Sequence, residues 1–170
     1  MFTLDYVKPG EAEGTVGDIY AMFPPEVGVP APQQLLSASP GLLELASASI
    51  GYFMRHPHLE FPVLAAIRLM ASSQLCYDYC VGFNSGLLGK AGLGEDEVAA
   101  LAAGELDGLP FEEGEKTLLR LVHKVVTAPR SVTATDVQAC RDAGWTDADI
   151  LDASYQAAMM AVPQRLMEAF

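Results

Sequence analysis

"SSQLCYDYCVGFNSGLLGKAGLGEDEV", residues 72–98, decides how the rest of the chain is interpreted. It contains two of the three cysteines, Cys76 and Cys80, in a segment that predicts a helix. On one continuous helix these two would share a face, with parallel Cα–Cβ bonds that strain a disulfide. A bridge forms more easily if Cys76 precedes the helix and Cys80 lies in its first turns, where a thiol pKa is also lowered. The alternative is that both are inert buried side chains.

Helices are predicted almost throughout from residue 35 onward. Ser39 and Pro40 are preferred N-cap and N1 residues, Thr133 and Asp136 have capping-box spacing, and Pro163 predicts a kink or break in the last helix. One apolar stripe follows helical spacing in "EKTLLRLVHKVVTAP", and it comprises Leu118, Leu119, Val122, Val125 and Val126. No stretch alternates long enough to predict a strand. The predicted class is therefore all-α, a multi-helix bundle.

A proline-rich segment precedes the helices. Four prolines fall within "FPPEVGVPAP", and only "TVGDIYAMF" favours a short helix there. We therefore predict an irregular N-terminal extension or arm over residues 1–34 and a helical domain over residues 35–170. The arm could stand free or wrap over the body of the protein.

A short pattern occurs twice, as "AGLGEDEV" at 91–98 and "AGWTDADI" at 143–150. Each copy predicts that a helix ends at a left-handed glycine, Gly92 or Gly144. A new helix then begins after Gly94 or Thr146, with acidic residues in its first turn. The two copies indicate either a duplicated helical hairpin or repeated use of the same capping chemistry.

The composition excludes several classes of partner. The formal net charge is -12, from 22 acidic and 10 basic residues, and such a field repels nucleic acid and anionic membranes. No apolar run reaches the roughly 18 residues of a membrane span, and the first residues do not resemble a secretory signal. We therefore expect a cytoplasmic protein. Hydrophobic residues make up 51% of the chain, which favours a homo-oligomer with an apolar interface.

Few side chains near the thiols are suited to proton transfer. Asp78 and Asn84 are the polar ones closest in sequence, and neither is a good base at neutral pH unless Asp78 is buried. Tyr77 and Tyr79 are expected in the core or an interface, or lining an apolar pocket.

The histidines predict no metal centre. His56 and His58 could be a metal pair, but two histidines without a third ligand favour a polar turn between helices instead. His123, on an apolar helix, is expected to be partly buried. We predict neither a metal nor a cofactor.

Three stretches together resemble the carboxymuconolactone decarboxylase / alkyl hydroperoxidase D-like family, in its peroxidase-related branch. They are "SASPGLLELASASIGYFMRHPHL", "ASSQLCYDYCVGFNSGLLGKAGLGEDEVAALAAGEL" and "EKTLLRLVHKVVTAPRSVTATDVQACRDAGWTDADILDASYQAAMMAVPQRL". The resemblance covers roughly residues 35–168. It implies an alkyl hydroperoxidase D-like helical fold and an oligomer, either a dimer, a trimer or a hexamer.

Redox members of that family carry C-x-[YH]-C, a Glu twelve residues before it and a His four residues after its second Cys. Tyr79 and Cys80 match the end of the motif, so the resemblance makes Cys80 the candidate thiolate nucleophile. Tyr77 stands where the first Cys is expected, and the thiol lies one place earlier, at Cys76. The His position holds Asn84.

The Glu position also differs, because it falls at Ala65, or at Leu64 if a residue is inserted. The usual proton relay is therefore missing, and Glu60 and His58 are the nearest candidates to replace it.

Three functional hypotheses follow. The first is a weak or altered thiol-dependent peroxidase, that is, an antioxidant oxidoreductase. In it, Cys80 becomes a sulfenic acid and Cys76 resolves it as a disulfide. An external dithiol then reduces the disulfide. The second is a non-catalytic helical oligomer that binds an apolar small molecule or a protein. The third is a carboxymuconolactone decarboxylase-type enzyme that uses no cysteine.

Overall fold

The computed structural model describes residues 2–75 and 77–170, and it confirms the all-α class. These residues form ten α-helices and two short 3-10 turns, without a strand in the ranges described. The helices are α1 (Gly14–Tyr20), α2 (Ala31–Leu36), α3 (Pro40–Met54), α4 (Phe61–Gln74), α5 (Asp78–Lys90), α6 (Glu95–Ala103), α7 (Glu113–Thr127), α8 (Ala134–Asp142), α9 (Asp147–Met159) and α10 (Ala161–Ala169). None of these described helices combines the length and the apolar content that a membrane span requires.

The chain forms two compact units. One extends to Arg55 and includes Val162–Phe170, and the other is His56–Ala161. The division at residue 34 between an arm and a helical domain remains a prediction.

The first unit has a small core of its own. Val16, Ile19 and Tyr20 of α1 are buried together with Leu43 of α3. The Tyr20 hydroxyl donates a 2.8 Å hydrogen bond to the carbonyl of Val7, which ties the first residues to α1. The prediction of α1 is confirmed, but this region is less irregular than predicted.

The helix that the prediction missed is α2. It begins after Pro30 and carries Pro32 in its first turn, where the absent N–H costs no helical hydrogen bond. The prolines that suggested an irregular segment therefore start a helix there.

The second unit is built around α4. Nine of its 14 residues are buried, and it packs against α5, α6, α7 and α9. Its sequence, "FPVLAAIRLMASSQ", is apolar on every side, as expected for a central helix surrounded by others. Arg68 is the single charged residue within it. Three residues of the predicted stripe, Leu118, Leu119 and Val122, are buried in α7, whereas Val125 and Val126 are only partly buried. Leu121, which the stripe did not include, is buried as well.

The predicted helix ends and starts are confirmed. Gly92 and Gly144 have φ angles of 106° and 97°, the left-handed conformation expected of glycine after a helix. Gly94 caps α6, and Thr146 caps α9 through a hydrogen bond from the backbone N–H of Asp149 to its hydroxyl. The two copies of the repeated pattern therefore make the same kind of helix–turn–helix connection.

Other predicted helix boundaries are confirmed as well. Ser39 is the N-cap residue of α3 and Pro40 its first residue, and Thr133 and Asp136 form a capping box at α8. The last helical stretch breaks between α9 and α10, three residues before Pro163. Pro163 has no N–H to donate to the carbonyl of Met159, four residues earlier, which explains the break.

Candidate functional site

Cys80 is the third residue of α5 and faces the interior of the second unit. It is 5% exposed and is a free thiol. Since α5 packs against α4, the side chains of α4 determine the chemical surroundings of this sulfur. Cys76, the other candidate, lies outside the described residues, so its predicted role as resolving thiol stays a prediction.

The surroundings of Cys80 disfavour the thiolate. Burial raises the pKa of the Cys80 thiol to about 11, although a hydrogen bond with Ser72 and the positive charge of Arg68 both oppose that rise. At pH 7 about one molecule in ten thousand would then carry the thiolate. Cys80 is therefore a protonated thiol at rest, with one cation close enough to favour its ionised form.

A chain of hydrogen bonds links α4 to α5 beside Cys80. The Arg68 Nε–H donates to Asn84 Oδ1 at 2.9 Å, and the Asn84 side-chain amide donates to the carbonyl of Cys80 at 2.8 Å. Asn84 is 1% exposed, so this amide is fixed in the core. On α4, the Ser72 hydroxyl donates to the carbonyl of Arg68 at 2.7 Å. Asn84 thus positions the guanidinium, a role that needs no proton transfer.

The carboxylate of the usual relay has no counterpart at its expected place. Ala65 and Leu64 are both buried apolar residues of α4. Arg68 lies one helical turn after Leu64, so a cation stands near the place where the resemblance implies an acid. The predicted absence of a Glu–His relay is consistent with this arrangement of α4 and α5.

The other predicted supporting residues divide between core and surface. Tyr77 is buried and is the N-cap residue of α5. Asp78 is exposed in the first turn of α5, where its charge complements the helix dipole. Tyr79 is exposed and stacks on Phe83, with ring centroids 6.2 Å apart and an angle of 10° between the ring planes. Because Asp78 faces solvent, the condition under which it could act as a base is not met.

His56 and His58 meet two aspartates of α9. His58 Nδ1 lies 3.0 Å from Asp149 Oδ1, and His56 Nε2 lies 3.2 Å from Asp152 Oδ2. The backbone N–H of Leu59 donates to His56 Nδ1 at 2.9 Å, so the His56 proton resides on Nε2, toward the carboxylates.

These contacts make the histidines part of a hydrogen-bonded connection between α9 and the turn before α4. Within residues 2–75 and 77–170, no group of three or more potential metal ligands is found. His58 is engaged with Asp149, and Glu60 is exposed at the start of α4. The structure therefore gives neither residue a contact with Cys80 that would make it a replacement for the relay.

Comparison with known proteins adds the fold family. No protein-family model matches the chain, and no curated protein sequence matches it significantly. Among solved structures, an uncharacterized peroxidase-related protein from Ralstonia eutropha JMP134, described as an alkylhydroperoxidase AhpD core, superposes with a TM-score of 0.71. The two are 19% identical, over 88% of this chain and 85% of that one. The chain has the AhpD-like fold.

Two further structures agree with that assignment. An uncharacterized peroxidase-related protein from Silicibacter sp. TM1040 superposes with a TM-score of 0.78 at 15% identity, over 99% of this chain and 92% of that one. The debrominase Bmp8, in complex with 2,3,4-tribromopyrrole, superposes with a TM-score of 0.80 at 13% identity, over 99% and 89%. Proteins with this AhpD-like fold thus include peroxidase-related proteins and a debrominase.

Two residues of α4 act on the sulfur, Arg68 and Ser72, and neither was predicted as a site residue from the sequence. One signal could have found them. Arg68 is the only charge in the apolar run of α4, and Ser72 follows it by one helical turn on the same face. A lone charge within an apolar stretch of a helix needs a reason, and Cys80 and Asn84 supply it.

Proposed function

We propose that this protein is a slow thiol-dependent oxidoreductase of the AhpD-like fold, with Cys80 as the reactive sulfur and Arg68 as its charge partner. One observation supports this most strongly: the guanidinium of Arg68 is held by Asn84 where its charge favours the Cys80 thiolate. In this proposal the fixed cation replaces the missing Glu–His relay, and the proton of the thiol leaves to solvent.

The chemistry proposed for Cys80 is reduction of a hydroperoxide. The thiolate attacks the terminal peroxide oxygen, the O–O bond breaks, and the alkoxide leaving group takes a proton from water. The products are Cys80 sulfenic acid and an alcohol. Cys76 would then attack the Cys80 sulfur, release water and form a disulfide, which an external dithiol reduces. The small thiolate fraction predicts slow turnover that increases with pH.

Peroxide consumption in the presence of dithiothreitol tests this function. We expect the rate to rise steadily between pH 7 and pH 10 and to be abolished in Cys80→Ser. In Cys76→Ser, dimedone should trap the sulfenic acid on Cys80. The matched control is Cys140→Ser, since Cys140 is fully buried on α8. Wild-type consumption that persists in Cys80→Ser would contradict the proposal.

A second candidate is a non-catalytic protein that binds a small apolar molecule. The 5% exposure of Cys80 favours it, because a reactive sulfur needs access to its substrate. Cys80→Ser should then leave ligand binding intact, and 2,3,4-tribromopyrrole, the ligand bound by the debrominase of this fold, is a suitable first probe. Carboxymuconolactone decarboxylase-type activity remains a third proposal, and unchanged ring-cleavage lactones would exclude it.

A further inference from the structure

We propose that Arg68 is an anion-binding residue that receives the carboxylate of a small organic acid beside Cys80. The anion site itself does not depend on peroxidase chemistry. Only the last step below, which names a substrate class, rests on the proposed function.

Arg68 lacks the partner that other partly buried cations of this protein have. Lys116 lies 3.0 Å from Glu113, and Lys124 lies 2.7 Å from Asp136. In the part of the chain that the structure describes, no carboxylate oxygen lies within 4.0 Å of the Arg68 guanidinium. A chain with 22 acidic residues has thus left this cation uncompensated, although buried charges are ordinarily paired.

The unpaired nitrogens of Arg68 are the two at its end. Its Nε–H is bound to Asn84, whereas Nη1 and Nη2 make no hydrogen bond to any other described residue. Arg68 is partly exposed, so a ligand can approach these atoms. Two parallel N–H groups match the two oxygens of a carboxylate, and this bidentate geometry distinguishes a planar acid from a spherical anion.

The environment of Arg68 strengthens such a contact. Burial lowers the pKa of its guanidinium to about 10, so the group stays charged at neutral pH. An ion pair formed at such a site is weakened little by bulk solvent. The net charge of -12 repels anions in general, so an acid that binds here does so through a local contact.

The neighbour of a bound carboxylate would be Cys80. The guanidinium charge acts on that thiol, and Asn84 bonds both Arg68 and the Cys80 carbonyl. For the proposed peroxidase, the favoured substrate is then a hydroperoxide of a small organic acid. The thiolate would take its terminal OH group to form Cys80 sulfenic acid, and the hydroxy-acid alkoxide would take a proton from water.

Alkylation with iodoacetate and iodoacetamide tests the anion site, because the two reagents differ mainly in the carboxylate. In each, the Cys80 thiolate displaces iodide and forms an S–CH₂ bond. The experiment uses Cys76→Ser, so that the peptide containing residues 69–90 reports Cys80 alone. We expect the iodoacetate-to-iodoacetamide rate ratio to exceed the ratio for glutathione by about tenfold or more, corresponding to about 1.4 kcal/mol, with saturation in iodoacetate. Acetate should compete, and acetamide should not.

The charge and the shape of Arg68 are separated by two variants. Arg68→Met should bring the ratio down to that of glutathione or below, and Arg68→Lys should keep a part of it, because an ammonium lacks the planar fork. Arg120→Met, an exposed arginine of α7 paired with Asp107, is the matched control and should behave as wild type. Equal ratios in the Cys76→Ser parent and in its Arg68→Met derivative would overturn the anion site.

A direct binding measurement tests the anion site independently of the proposed thiol chemistry. Reaction with iodoacetamide and peroxide consumption test the thiol chemistry, whereas titration of the Arg68 Nε–H resonance with acetate tests the anion site even if Cys80 is inert. The resonance is assigned by its loss in Arg68→Met. We expect it to shift and saturate in the millimolar range with acetate and not with acetamide. A resonance that does not move overturns the proposal, whatever the thiol does.

Discussion

At the scale of single residues, the site shows how burial and charge oppose each other at one sulfur. Burial disfavours the Cys80 thiolate, while Arg68 and Ser72 favour it, and burial is the larger effect. The pKa near 11 is therefore a balance that single substitutions can shift in either direction. An amide, Asn84, stands at the position where the resemblance implies a proton acceptor, and it can position a cation but cannot take a proton.

Removal of the cation should make Cys80 less reactive. In Arg68→Met the pKa of the thiol should rise further, since the guanidinium lowers it at present. Below the pKa the thiolate fraction falls tenfold for each unit, so we expect alkylation by iodoacetamide at pH 8.5 to slow several-fold, up to about tenfold. Rates are measured on Cys80 by mass spectrometry, with Arg120→Met as control. Faster alkylation in Arg68→Met would contradict the assignment that Arg68 lowers the pKa of the Cys80 thiol.

A second prediction concerns the contact between Gly104 and His123. Gly104, after α6, has φ 81°, and a Cβ added there would lie 2.6 Å from His123 Nε2. Gly108 has nearly the same φ, 82°, with no atom within 4 Å of an added Cβ. We expect Gly108→Ala to lower the free energy of unfolding by about 1 kcal/mol through strain alone. Gly104→Ala should cost clearly more, because steric overlap adds to the strain.

Urea denaturation of the two alanine variants measures the difference. His123→Ala removes the imidazole ring. The double variant Gly104→Ala/His123→Ala should therefore recover part of the additional free energy of unfolding that Gly104→Ala loses. Equal losses for the two glycines would show that His123 moves away freely.

At the scale of elements, helix ends carry much of the electrostatic organisation. Asp136 closes the capping box of α8 and also binds Lys124 of α7 at 2.7 Å. The hydrogen bond from Lys124, followed by the bonds from Thr133, lowers the pKa of Asp136 to about 2. One carboxylate thus both caps a helix and joins two helices.

The sign of this pKa shift predicts how stability depends on pH. The folded pKa of Asp136 lies below its unfolded value of about 3.9, so its stabilisation is complete above that value. It is lost as the pH falls toward about 2. In Asp136→Asn, the melting temperature should be lower than wild type at pH 7, and the two should converge at about pH 2. Asp142→Asn on the same helix is the control, and a constant difference across this range would contradict the assignment.

Asp149 performs a related role at the start of α9. Burial raises the pKa of Asp149, but hydrogen bonds from Thr146 and then from His58 outweigh it, and the net shift is downward. Since α9 packs on α4 and α7, the Thr146–Asp149–His58 contacts join the second copy of the repeated pattern to the turn before α4. In the first copy, the backbone N–H of Gly94 donates a hydrogen bond to Glu97, three residues later in the same helix.

At the scale of the whole molecule, large apolar side chains are exposed in both units. Leu45 of α3 and Leu151 of α9 are 70% and 69% exposed, in a chain that is half hydrophobic by composition. Exposed apolar groups of this size are typical of protein interfaces when they lie together. We propose a homo-oligomer, and we also propose a cytoplasmic location with an external dithiol reductant.

Light scattering after size exclusion tests the assembly. We expect the molar mass of wild type to be a multiple of 18.1 kDa. Either Leu45→Glu or Leu151→Glu should reduce that mass, because a charge in an apolar interface is not solvated. Asp142→Asn, an exposed polar change, should leave it unchanged. A wild-type monomer at all accessible concentrations would contradict the proposal.

Sequence alone determined the features of this protein that are local. Each of these features depends on a few neighbouring residues. The described residues form no strand, as predicted, and the predicted helix caps lie at Thr133 and Thr146. The predicted left-handed glycines are Gly92 and Gly144. The helix α2 was missed because proline can either interrupt a helix or begin one, and the surrounding chain decides which.

Only the tertiary structure decided what surrounds Cys80. The motif pointed to positions 64, 65 and 84, but the side chains that act on the sulfur, Arg68 and Ser72, come from the face of α4 that α5 covers. Which face a helix turns to its neighbour depends on packing across the core. The rise in the Cys80 pKa that burial causes depends likewise on every atom that excludes water from the sulfur. The spacing of residues along the sequence does not specify which atoms these are.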